Sequence, residues 1–149
     1  MFEIRPTERG FEVSMSAELT NIDLADRRMA EFLDRAGAPL DRFAVRILLR
    51  EALLNAVTHG SGQDPGMTVR LTMFLDDDGM VMEVEDQGPG FIWQNRDMVF
   101  DVCGDGGRGL PIMQIYSSEM TYNDAGNRLV IRRRYESGCA CARATGRGD

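Results

Sequence analysis

Three short stretches place polar side chains or glycines where chemistry is possible. In Glu51-Ala52-Leu53-Leu54-Asn55 a carboxylate and a carboxamide stand one helical turn apart, a pair able to bind a hydrated cation and to orient a nucleophile. Seven residues are nearly two turns of α-helix, so Glu51 lies over Ala44 and Asn55 over Leu48, inside the apolar stripe. An unpaired carboxylate buried there costs several kcal/mol and needs a compensating partner. If the stripe ends at Leu48, Glu51 instead reaches water. In Val84-Glu85-Asp86-Gln87-Gly88-Pro89-Gly90-Phe91, Asp86 ends a strand, and Gly88 and Gly90 permit close backbone approach. An aspartate so placed can accept the exocyclic amine of adenine, and the plainer alternative is a turn with an ordinary strand-end acid. The third stretch is Gly104-Asp105-Gly106-Gly107-Arg108-Gly109-Leu110-Pro111-Ile112-Met113. Its glycines open a helix whose free N–H groups can receive phosphate, with Arg108 adding a charge-assisted contact. Pro111 fits an early helical position, where its missing N–H has no partner to lose. The same residues also read as a surface loop before a helix.

That third stretch contains a competing pattern. Gly104, Gly106 and Gly109 satisfy G-x-G-x-x-G, and Asp124 follows near the position of a dinucleotide-binding ribose acid. Against it, the pattern falls late in the chain and the next strand follows by a hairpin rather than a crossover helix. A dinucleotide reading also leaves Glu51, Asn55 and Asp86 without a task.

The elements that must position these residues follow from periodicity and turn chemistry. Gly10 to Ala17 alternates weakly and reads as an edge strand. Ala25, Met29, Phe32, Leu33 and Ala36 recur at helical spacing between Leu24 and Ala36, with Asp23 as an acidic start and Gly37 and Pro39 as the stop. Asp41 caps a second helix that runs to about Thr58 and stops at Gly60, with Ala44, Ile47 and Leu48 in its stripe. Met67 to Leu75 and Met80 to Glu85 are strands joined by the Asp76-Asp77-Asp78-Gly79 turn. That acidic run lacks the glutamate of a calcium loop. A helix covers Leu110 to Tyr116, and a last hairpin pairs Glu119 to Tyr122 with Leu129 to Arg133. The sum is an α+β two-layer sandwich, a mixed and mostly antiparallel sheet covered on one face by helices, in a single domain over residues 1–135. Residues 136–149 lack apolar periodicity and are expected to form a disordered tail.

Composition narrows the chemistry. The 149 residues carry a net charge of −7, which argues against a nucleic-acid surface. All 17 basic residues are arginine. Without lysine there is no Walker-A phosphate lysine, no strand lysine of the eukaryotic-type protein kinases and no Schiff base. Backbone N–H groups, arginine and a metal must therefore hold any phosphate. His59 alone cannot build a multi-histidine zinc site, and it reads as a packed helix-end residue. Three cysteines, an odd number, read as incidental thiols in a reducing cytoplasm. No apolar run nears the roughly 18 residues of a membrane span, and the opening MFEIRPTERG lacks a signal-peptide pattern, so a cytoplasmic protein without a membrane partner is expected.

The order EALLN, DQGPGF, GGRGLPIM resembles the three ATP-binding boxes of the GHKL superfamily of gyrase-type ATPases, chaperones, mismatch-repair ATPases and histidine kinases. Within it, the compact chain looks most like the bacterial anti-sigma-factor serine/threonine kinases. The likeness covers about Gly10 to Arg134. It implies that Asn55 coordinates Mg²⁺ on the phosphates of ATP and that Glu51 is the general base toward a protein serine hydroxyl. It further implies that Asp86 accepts from adenine, with Gly88 and Gly90 shaping the pocket, and that Gly107, Arg108 and Gly109 belong to the lid and phosphate-facing helix. Aligned on Gly126, Arg128 falls where many members carry a threonine near adenine. Implied partners are a STAS-domain antagonist protein and a sigma factor or similar regulatory target, with homodimerisation expected. A sequestering module without catalysis, and a separately encoded ATP-binding half of a histidine kinase, are the alternatives.

Overall fold

The computed structural model describes residues 1–89 and 109–136. Six strands form one sheet: β1 (Phe2–Pro6), β2 (Gly10–Ser16), β3 (Thr68–Leu75), β4 (Gly79–Glu85), β5 (Glu119–Tyr122) and β6 (Arg128–Arg134). Their order is β1-β2-β3-β4-β6-β5, and every neighbouring pair is antiparallel. Strand alternation sends Val13, Leu71, Met82 and Ile131 to one face, all at or near zero exposure. Arg70, Glu83, Glu85 and Arg128 stand on the other face, where they pair as ions across the strands. The expected sandwich is therefore present, with its helices over the apolar face only.

Gly10 to Ala17 is not an edge. Phe2 and Ile4 of β1 alternate with Glu3 and Arg5, too short a run to stand out in sequence, and pair with Met15 and Val13. Strand β1 is thus the outer strand, and β2 lies between β1 and β3.

Helix α1 (Thr20–Ala36) ends as its glycine requires. Gly37 adopts φ +63° and donates to the Leu33 carbonyl at 3.0 Å. Helix α2 (Arg42–Leu54) begins on Asp41, whose carboxylate accepts from the backbone N–H of Phe43 at 2.9 Å and of Ala44 at 3.3 Å. The helices bury Ala25, Met29 and Leu33 of α1 and Leu48, Leu49 and Leu53 of α2 against the sheet. Each such leucine or methionine contributes about 1.5–3 kcal/mol by leaving water. Between the two helices, buried Asp26 accepts from Arg46 at 2.8 Å and Arg50 at 2.9 Å, so this carboxylate is neutralised by two guanidiniums.

Helix α3 (Gly109–Tyr116) follows the glycine-rich stretch, with Pro111 in its first turn. Its far end is tied down. Arg133 donates to the Tyr116 carbonyl at 2.6 Å and to Glu136 at 2.9 Å, and Glu136 in turn accepts from the Asp41 N–H at 3.3 Å. Phe43 and Tyr116 meet edge to face with centroids 6.0 Å apart. The start of α2 and the end of α3 are thereby one assembly, which fixes where the opening turn of α3 points. Residues 137–149, including Cys139 and Cys141, lie outside the described residues.

Candidate functional site

The helix that carries Glu51 and Asn55 changes character at the second of them. Past Leu54 it continues as a π-helical segment, Asn55–Gly60, rather than running on as α-helix to Thr58. The wider turn is seen directly in the Ser61 N–H, which donates to the Ala56 carbonyl five residues back at 2.9 Å. Gly62 and Gln63, both left-handed at φ +62° and +56°, then reverse the chain, and the Gln63 N–H closes on the Val57 carbonyl at 2.7 Å. Single π turns inside α-helices are rare and concentrate at functional sites. Here one begins at the proposed cation ligand.

Glu51 and Asn55 are both half-buried, one turn apart, with the Asn55 N–H donating to the Glu51 carbonyl. Among the described residues neither side chain has a hydrogen-bond or ion-pair partner. The contrast with Asp26, drawn into the same helical layer and held by two arginines, is direct. His59, one residue before the end of the π segment, is exposed rather than packed, because the wider turn carries it to the solvent side.

Asp86 follows β4 at the end of the sheet where β3 and β6 begin. Its backbone N–H donates to the Asn127 carbonyl at 3.0 Å, and its carboxylate accepts from the Gly88 N–H at 2.8 Å. The carboxyl is half-buried, and its pKa is raised from the ordinary 3.8, first by desolvation and then by the neighbouring Glu85 charge, with the Gly88 hydrogen bond acting in opposition. Among the described residues no arginine or other cation contributes to the balance.

The π segment and the Asp86 turn meet at Gly60. A Cβ on Gly60 would fall 2.2 Å from Asp86 Oδ2, and one on Gly88 would fall 1.8 Å from the Gly60 carbonyl oxygen. Both residues must therefore be glycine for reasons of space. This junction joins the helix of Glu51 and Asn55 to the strand end of Asp86. An open cleft beside it is lined by Ser14, Thr68, Arg70, Glu85, Asp86 and Gln87. Glu51 and Asn55 do not line it.

On the last hairpin, the residue that reaches the Asp86 turn is the neighbour of Arg128. Arg128 faces the opposite side of the sheet and pairs with Glu83, so it does not reach the Asp86 turn. Asn127 does. Its Nδ2 lies 3.4 Å from the Gly88 carbonyl, while its Oδ1 accepts from Asn123 Nδ2 at 2.9 Å. Strand parity accounts for the difference between the two residues, since a shift of one residue exchanges the two faces of a sheet. The cluster of Asn123, Gly126 and Asn127 marks the turn chemistry, but its contact with Gly88 spans distant parts of the chain.

Gly109 is the first residue of α3, one residue before the start read from the sequence. Gly90, Gly107 and Arg108 lie outside the described residues, as do Gly104 and Gly106 of the competing glycine pattern.

The fold is thus a two-layer sandwich with an acid–amide pair on an inner helix and an aspartate–glycine turn at the strand end. Residues 15–133 match the family described as the histidine kinase-like ATPase domain, and the chain belongs to that family, whose domains bind ATP. The anti-sigma F factor of Geobacillus kaustophilus is a relative, 25% identical over 114 residues that cover 72% of this chain and 78% of that protein.

The residues present fit such a ligand. Asp86 is a desolvated acceptor without a cation among the described residues, and Gly60 and Gly88 hold back side chains around it. Among the described residues no group of three or more His, Cys, Asp or Glu gathers to hold a metal. Among the described residues no helix is long and apolar enough to cross a membrane.

Proposed function

We propose that the protein is an ATP-dependent serine/threonine protein kinase of the anti-sigma type, which phosphorylates a STAS-type antagonist protein and binds a sigma factor or a similar regulatory target. The observation that carries this reading is the half-buried Glu51–Asn55 pair, without a side-chain partner among the described residues, on a helix whose π-helical end rests on Asp86. A module that only sequesters a partner has no use for an uncompensated carboxylate at that position. The similarity to an anti-sigma F factor supports the choice within the family.

In this reading Asp86 accepts the exocyclic amine of adenine, and Gly88 and Gly90 admit the base. Asn55 offers its carboxamide oxygen to Mg²⁺. The N–H groups at Gly109 face phosphate, with Gly107 and Arg108 just before them in the lid. Held by Asn55, a magnesium ion would supply positive charge against the phosphates. Glu51 accepts the proton of the partner's serine hydroxyl as the serine oxygen bonds to the γ-phosphorus and the bond from phosphorus to the β–γ bridging oxygen breaks, leaving ADP. Such positioning and electrostatics carry most of phosphoryl transfer, and a general base adds about 10²–10⁴-fold.

The test is phosphotransfer from radiolabelled ATP to the STAS-domain proteins of the source organism. Glu51→Ala is expected to lose about 10²–10⁴-fold in rate while still binding ATP. Full transfer by Glu51→Ala would remove Glu51 as the base. Absence of transfer by the wild type to any such protein, with ATP bound, would favour sequestration.

A further inference from the structure

We propose that Gly60 is a positioning residue for base recognition: by lacking a side chain it lets the end of the π segment seat the Asp86 carboxylate in its adenine-accepting place. The inference rests on the nucleotide reading of Asp86 given above and adds a residue to that site.

The geometry is specific. A Cβ on Gly60 would lie 2.2 Å from Asp86 Oδ2, 2.4 Å from its Cγ and 2.7 Å from Oδ1, so the carboxylate lies flat against the bare Cα. The φ of Gly60 is not among the left-handed values of the chain, which belong to Gly37, Gly62 and Gly126 and to Gln63. Alanine can thus adopt the Gly60 backbone, and only the space taken by Asp86 forbids it. The carboxylate is also the part that yields. It is a side-chain end, held by one hydrogen bond from Gly88, whereas the Gly60 backbone is packed against Gly88 and followed by the closed turn through Gln63. A methyl group at position 60 therefore displaces Asp86 rather than the helix. Glu51 and Asn55, a turn or more away, keep their places.

The prediction is a split between the two ends of the nucleotide. Calorimetric titration of Gly60→Ala should show ATP affinity reduced about tenfold or more, the scale of a lost hydrogen bond to a charged group. Binding of magnesium tripolyphosphate, which has no base, should change less than about twofold. In an Asp86→Ala background the same Gly60→Ala change should cost nothing further, because the space is then vacant. Wild-type ATP affinity in Gly60→Ala, with Asp86→Ala impaired, overturns the role of Gly60 and leaves the reading of Asp86 intact. Equal loss of ATP and tripolyphosphate overturns it too. If Gly60→Ala fails to fold, recovery of folding by adding Asp86→Ala supports the contact as the cause, and failure of both variants overturns it. Unimpaired ATP binding by Asp86→Ala alone defeats the nucleotide reading itself.

Discussion

The two ends of the β3–β4 hairpin each carry an aspartate, and the two are treated in opposite ways. At the turn, Asp76 accepts from the N–H groups of Asp78 and Gly79 at 2.9 and 3.0 Å and from both terminal nitrogens of Arg132 at 3.1 and 2.7 Å. The Arg132 hydrogen bond is the largest influence on its carboxyl, whose pKa drops from 3.8 to about 2. At the open end, Asp86 receives one N–H, faces burial and a like charge, and is shifted upward. Asp76 is complete within the fold. Asp86 has no cationic partner among the described residues, and in the function proposed above a ligand supplies the missing donor. On that reading the difference separates an acid that maintains the sheet from one that serves a site.

Neutralising the second acid sharpens the contrast most. Asp86→Asn keeps an acceptor for the Gly88 N–H but removes the charge, and ATP affinity is expected to fall about tenfold or more in calorimetry. The same variant should be more stable than wild type at neutral pH. A carboxyl whose pKa is raised on folding contributes stability below its unfolded value and loses it as pH rises through the folded one. The advantage of Asp86→Asn in urea melts should accordingly be small near pH 4 and grow toward pH 7. A variant weaker in both binding and stability would break the comparison.

Removing the first acid should do the reverse. Asp76→Ala is expected to lower stability by about 1–3 kcal/mol, because it strips two turn N–H groups and a guanidinium of their acceptor, while ATP affinity stays within about twofold. The pH dependence has the opposite sign from that of Asp86. The stability from Asp76 is present above its ordinary value of 3.8 and is lost as pH falls through about 2, so the wild type's margin over Asp76→Asn should shrink across that interval.

The smallest effect belongs to Arg128→Ala. Its partner Glu83 stands on the uncovered face, so the change should cost at most about 1 kcal/mol and leave ATP affinity within about twofold. A large loss of affinity would return Arg128 to the site and displace Asn127.

What was legible in the sequence was local. Asp41 as a cap, Gly37 as a stop and the Asp76–Gly79 turn are decided by residues within a few positions of one another, and each stands where expected. The apolar stripe through Ala44 and Leu48 correctly drew Glu51 and Asn55 inward. Strand β1 escaped because two apolar residues make a weak alternation. The π segment escaped because a helix of either kind satisfies the same short apolar run from Leu53 to Val57. Gly60 was legible only as a helix stop. Its more consequential contact, with Asp86, depends on how a helix end meets a strand end, and nothing within either segment encodes it. Asn127 was hidden by a one-residue ambiguity in a turn, the kind of ambiguity that only pairing with β4 resolves.

The π turn also makes this segment sensitive to length in a way that composition does not reveal. Removing one residue between Asn55 and Gly60 would let an ordinary α-helix close with all its hydrogen bonds made. Glu51 and Asn55 would remain where they are, but everything beyond would rotate by about 100° around the helix axis. The glycine would then face away from the strand end, and the two halves of the site would belong to a well-folded protein without addressing the same molecule. For these six residues the count matters as much as the side chains, because it alone decides which way Gly60 faces.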